Sequence, residues 1–112
     1  MQTIQAKQLD EMNARGDDFL LINVLPEDAF QERHIPGSMN IPVEREDFEE
    51  QVEQLAGDKT RTVVVYCAST DCTASPTAAN KLEDVGFTHV IDFAGGMQEW
   101  EETKHPVETG PD

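Results

Sequence analysis

With 112 residues, 38% of them hydrophobic and including five Phe, one Trp and one Tyr, the chain has material for one core and reads as a single domain over 1–112. Twenty-three acidic residues against eight basic ones give a formal charge of −15, the opposite of what a nucleic-acid or anionic-membrane binder carries. Apolar runs are strand-sized rather than membrane-sized, and Met1-Gln2-Thr3-Ile4-Gln5 lacks the regions of a secretory leader, so the expected setting is cytoplasmic.

In chain order, Ile4-Gln5-Ala6 reads as a short strand, followed by a helix from Lys7 to Ala14 that stops at Gly16. Phe19-Leu20-Leu21-Ile22-Asn23-Val24 is nearly continuous in apolar character, which fits a strand covered on both faces of a parallel sheet and ended by Pro26. Glu27 to Glu32 predicts one or two helical turns, and His34 to Pro42 a Pro- and Gly-punctuated loop leading to a brief extended piece. Phe48, Val52 and Leu55 fall at helical spacing within Glu46 to Ala56, with Gly57 as the stop.

Thr62 to Tyr66 is rich in β-branched residues and predicts a central strand. From Ser75, taken as N-cap ahead of Pro76, the residues Ala78, Ala79, Leu82 and Val85 form an apolar stripe that closes at Gly86. Val90-Ile91-Asp92-Phe93 gives the last strand. Gly95-Gly96 breaks it, and Met97 to Glu102 predicts a final helix that buries Trp100. The alternation of β and α elements argues for a three-layer α/β/α fold with a mainly parallel central sheet.

Cys67 directly follows the central strand and shortly precedes a helix start. In open α/β sheets ligands bind outside the carboxyl ends of the strands, where loop N–H groups and a helix N-terminus favour an anion or a thiolate. The loop Cys67, Ala68, Ser69, Thr70, Asp71, Cys72, Thr73, Ala74, Ser75 is therefore the candidate site. Cys67 is its candidate nucleophile. Cys72 is a candidate resolving thiol or a neutral loop residue, and free thiols suit a cytoplasmic setting better than a permanent disulfide. The hydroxyls of Ser69, Thr70 and Thr73 suit turns as well as sulfur contacts. Two Cys and three scattered His do not make a metal pattern, and no metal or other cofactor is expected. His34 reads as a structural residue held by a ring hydrogen bond.

Four stretches together resemble the rhodanese-like domain family: Leu20 to Val24, His34 to Pro42, Val63 to Cys67, and Gly95-Gly96-Met97-Gln98-Glu99-Trp100. The resemblance runs from about Ile4 to Val107. It implies that Cys67 takes sulfur as a persulfide and passes it to an acceptor nucleophile, with loop amides holding the terminal sulfur. The implied partners are a sulfane-sulfur donor and a thiol or protein acceptor, for a monomer or weak homodimer.

Several positions depart from the family pattern. Asn23-Val24-Leu25 stands where the family has Asp-Val-Arg, and Ala29 where it has Glu, so charges of both signs are missing together. In many members the active loop reads Cys, four residues, Arg. Counting forward puts Cys72 at the Arg; counting back from the helix puts Ala74-Ser75 at the usual Arg-Ser, with two residues added to the loop. The second register keeps the helical phase. In both, the loop lacks Arg and Lys while Asp71 adds negative charge, so thiosulfate is expected to be a poor donor. A thiol–disulfide redox protein using Cys67 and Cys72, or a non-catalytic binding module, are the other readings. The acid surplus fits either an ordinary soluble surface or a halophile's adaptation to high salt.

Overall fold

A computed structural model describes residues 2–110. Its elements, in order, are β1 (Gln2–Thr3), α1 (Ala6–Arg15), β2 (Phe19–Asn23), α2 (Glu27–Glu32), β3 (Met39–Asn40), α3 (Phe48–Ala56), β4 (Thr62–Tyr66), α4 (Ala74–Asp84), β5 (Val90–Phe93) and α5 (Gly96–Glu102). The strands form one sheet in the order β1-β5-β4-β2-β3, and every pair is parallel. Each return to a parallel neighbour needs a crossover, which the intervening segments with their helices provide. The central strand is β4, as its Val-rich sequence predicts.

Strand alternation sorts side chains into two cores. Val63, Val65 and Cys67 face one way, with Leu20, Ile22 and Val90, against Phe48 and Val52 of α3 and Ala78, Ala79 and Leu82 of α4. Val64 and Tyr66 face the other way, with Leu21, Ile91 and Phe93, against Leu9 of α1 and Met97 and Trp100 of α5. This is the three-layer α/β/α arrangement. The same alternation places Cys67 on the α3/α4 side.

Boundaries differ from the sequence reading where local hydrogen bonds compete with periodicity. The first strand is Gln2–Thr3 rather than Ile4 to Ala6, because Gln5 already exchanges capping bonds with Gln8 and opens α1 at Ala6. Helix α3 starts at Phe48 rather than Glu46, since residues 42–48 are held in turns by Arg45 N–H to Pro42 O and Phe48 N–H to Arg45 O. Helix α4 starts at Ala74 rather than after Ser75, and its N-cap is Thr73. Pro76 fits because an N–H in the first turn has no intrahelical acceptor.

The turn from β5 into α5 fixes the start of the candidate loop. Met97 N–H donates to Cys67 O at 2.9 Å and Gln98 N–H to Ala68 O at 2.8 Å. Gly96 makes this approach possible: its φ is +57°, and a Cβ there would run into the carbonyl of Cys67. Gly96→Ala is expected to cost roughly 1–3 kcal/mol for the left-handed backbone alone, with a further penalty from overlap. A thermal midpoint equal to wild type in a melting experiment would contradict this account.

Candidate active site

The loop leaves β4 at Tyr66 and folds back on itself. Cys72 N–H donates to Ser69 O at 3.1 Å, closing a turn over Thr70 and Asp71 that returns Cys72 above Cys67. Thr77 N–H then bonds Thr73 O at 3.1 Å and α4 begins. Ala68, Thr70, Asp71 and Thr73 are exposed, Ser69, Cys72 and Ala74 are half-buried, and Ser75 is buried. Cys67 has 0% of its surface exposed.

The sequence reading centres the amides on Cys67; amide N–H groups favour the thiolate at both sulfurs, that of Ser75 at Cys67 and those of Ala68, Ala74 and Ser75 at Cys72. Burial opposes the Cys72 thiolate, but these donors outweigh it and hold the Cys72 pKa below the ordinary thiol value. Burial pushes the Cys67 thiol up, and the neighbouring Cys72 pushes it further; Ser75 opposes both. The Cys67 Sγ lies 3.5 Å from Ser75 Oγ and 3.7 Å from Cys72 O. Both cysteines are free thiols.

Ser75 is not the N-cap: it lies inside the first turn of α4, and its hydroxyl contacts the Cys67 sulfur. Asp92 was not among the sequence candidates. Its signal was a carboxylate in the middle of Val90-Ile91-Asp92-Phe93, at the parity of Val90 and so facing the α4 side. Only 2% of Asp92 is exposed, its Oδ1 has no hydrogen-bond partner, and burial raises its pKa.

Beside the loop lies a cleft of about 420 Å³ lined by Arg33, Ala68, Ser69, Gln98, Glu101 and Glu102. Arg33 brings a guanidinium to this face, but its Nε sits 3.1 Å from Glu101 Oε1. A comparable cleft of about 410 Å³ near Thr62, His89 and Val90 lies at the amino edge of the sheet, away from the thiols. His34 Nδ1–H donates to Phe30 O at 2.9 Å, and its ring stacks on Phe30. Tyr66 OH contacts Ser38 Oγ at 2.8 Å and accepts from Ile35 N–H, tying the corner after His34 to β4. Asn23 keeps the turn after β2 without a charge, its Oδ1 accepting from Leu25 N–H at 2.9 Å. Among the described residues there is no His, Cys, Asp and Glu grouping suited to a metal, and no helix is long and apolar enough to cross a membrane.

Fold and site together define a parallel α/β protein that presents a two-thiol loop at the carboxyl edge of its central strand. The chain belongs to the rhodanese-like domain family, whose sequence model matches residues 5–103, and so to a family of sulfurtransferases. It is similar to the thiosulfate sulfurtransferase PspE of Escherichia coli, with 33% identity over 70% of each chain. It is also similar to the HTH-type transcriptional regulator Rv0324 of Mycobacterium tuberculosis, with 34% identity over 80% of this chain and 38% of that protein. The chain thus spans less than half the length of that relative. The crystal structure of protein BH2092 from Bacillus halodurans superposes with a TM-score of 0.86 at 25% identity, covering 96% of this chain and 77% of that one.

The two thiols are expected to separate on alkylation. Near neutral pH, Cys72 should react with iodoacetamide at least about tenfold faster than Cys67, since each unit of pKa separation changes the thiolate fraction about tenfold. The lowered Cys72 pKa keeps its reactivity down to more acidic pH than an ordinary thiol. Cys67→Ala removes one donor to the thiolate and should move that profile to higher pH. Peptide mass mapping of the labelled protein across pH reads both; equal rates at the two cysteines would contradict the cradle described above.

Proposed function

We propose that the chain takes sulfane sulfur from a persulfide donor and gives it to a thiol or other nucleophilic acceptor through the Cys67–Cys72 pair. The observation that carries this reading is the loop at the carboxyl end of the central strand, whose Ser69–Cys72 turn brings the Cys72 carbonyl to 3.7 Å from the Cys67 sulfur and leaves Cys72 the more exposed of the two thiols. The thiosulfate sulfurtransferases among its relatives supply the sulfur chemistry by analogy.

The family resemblance implies a persulfide on Cys67, but that residue has no exposed surface and lies behind Cys72. Cys72 is therefore the thiolate that meets the donor. It attacks the terminal sulfur of R–S–SH, the donor S–S bond breaks, and RS⁻ leaves with the electron pair. The N–H groups of Ala68, Ala74 and Ser75 stabilise the sulfur anion when Cys72 is regenerated by an acceptor thiolate. Where no acceptor arrives, Cys67 attacks the inner sulfur of Cys72, hydrosulfide leaves and a disulfide closes; two external thiols reopen it. This reverses the division of labour expected from the sequence, in which Cys72 resolves Cys67.

Thiosulfate is a poor donor on this reading, because its two charges meet Asp71, Glu101 and Glu102, and Arg33 is already paired. With glutathione persulfide as donor, Cys67→Ser should gain the mass of one sulfur on Cys72, and Cys72→Ser should lose rapid loading. Thiosulfate should load at least about tenfold more slowly. If Cys72→Ser loads as fast as wild type, Cys67 is the entry thiol; if neither cysteine gains sulfur while both oxidise readily to a disulfide, the thiol–disulfide redox reading replaces this one.

A further inference from the structure

We propose that Glu101 decides which sulfur donors reach the thiol loop: by holding the Arg33 guanidinium it masks the cation of the adjoining cleft, so thiol persulfides without negative charge are taken and anionic donors are turned away. The proposal rests on the two-thiol reading above and names the substrate class of that site.

The cleft shares its backbone with the loop. Ala68 and Ser69 form one wall and Gln98, Glu101 and Glu102 of α5 the other, with Arg33, at the end of α2, completing the lining. Gln98 N–H donates to Ala68 O at 2.8 Å, which joins the two walls directly. Spacings of three and four residues put Gln98, Glu101 and Glu102 on one face of the helix. Ser69 ties the cleft to the outer thiol: its carbonyl accepts Cys72 N–H at 3.1 Å, and the ends of such a turn lie within about 7 Å of each other. A volume of about 420 Å³ is that of a site for a small molecule. A donor seated there lies beside Cys72, the more exposed of the two thiols.

Among the described residues that line the cleft, Arg33 is the one cation, and Glu101 grips it at two points. Arg33 Nε lies 3.1 Å from Glu101 Oε1, and Nη1 lies 3.5 Å from Oε2. A guanidinium uses the same two-point contact to hold a carboxylate or oxyanion ligand. Glu101 therefore occupies Arg33 as an anionic substrate would. Glu102 has no ion-pair partner among the described residues, and the exposed Asp71 adds a second negative charge on the loop. An anionic donor meets repulsion that no free cation offsets, whereas an uncharged persulfide meets none. Pairs as exposed as Arg33 and Glu101 contribute little to stability, so variants at either position keep the fold.

Disulfide exchange reads the effect. A protein thiolate attacks one sulfur of R–S–S–R, the S–S bond breaks and RS⁻ leaves with the electron pair, and the mass of the mixed disulfide on the protein reports the rate. The anionic probe is 3,3′-dithiodipropionate and the uncharged one is 2-hydroxyethyl disulfide. The ratio of their rates cancels any change in thiol reactivity that both share. At an ionic strength of about 0.15 M, charges more than about 8 Å away are largely screened, which removes the general acidity of the surface.

Relative to wild type, Glu101→Gln should raise the anionic-to-uncharged ratio at least about fivefold, because it removes one negative charge and frees the guanidinium for the carboxylate of the probe. Glu102→Gln removes the same charge one residue away and should give a smaller rise. In an Arg33→Gln background the two Gln substitutions should raise the ratio equally, since the excess of Glu101→Gln requires Arg33. Equal ratios in the two single Gln variants overturn the proposal, and so does an excess that persists without Arg33. No sulfane sulfur enters this assay, so its failure is separate from failure of the persulfide-loading experiment in Cys67→Ser.

Discussion

The hydrogen bonds from Met97 N–H and Gln98 N–H to the carbonyls of Cys67 and Ala68 are the constraint on which the site depends. They tie the first two residues of the loop to the start of α5, across the end of β5. With its carbonyls held outward in this way, the chain turns back at Ser69 to Cys72 and enters α4 at Ala74. Gly96 is required because only a residue without Cβ lets the α5 backbone approach that closely at positive φ. The Gly-Gly pair therefore acts on the thiols through backbone contact, with no side chain of its own.

Electrostatics at this site come from backbone dipoles and not from cationic side chains. Asp71 stands exposed in the loop, and Arg33, across the adjoining cleft, is engaged by Glu101. In a chain with 23 acidic residues, an anion arriving from solvent meets a repelling surface, while an anion formed within the cradle is stabilised by short-range N–H donors. Formation of thiolate in place is favoured over capture of a charged donor.

Burial separates the two cysteines into different chemical environments. Cys67 belongs to the packed core on the α3/α4 side, beside Val65 and Ala78, and its thiol is held neutral. Cys72 rides above it, half-exposed, and its pKa lies below the ordinary thiol value because its hydrogen-bond donors outweigh its burial.

The amino-acid sequence alone determined the layers: the near-continuous apolar run Phe19 to Val24 and the Val-rich run at 62–66 define strands covered on both faces, and helical stripes between them define the parallel order. It also located the loop, because Cys67 ends a central strand and a helix follows, and local patterns record both. Tertiary structure decided that Cys67 is buried while Cys72 is half-exposed, that Ser75 contacts Cys67 instead of capping α4, and that Asp92 is buried on the same side of the sheet. The physical reason is range. Periodicity and capping are written in residues a few positions apart, whereas the contact between residues 67 and 75 and the face on which residue 92 is buried depend on strand register and on the α5 backbone closing over the loop.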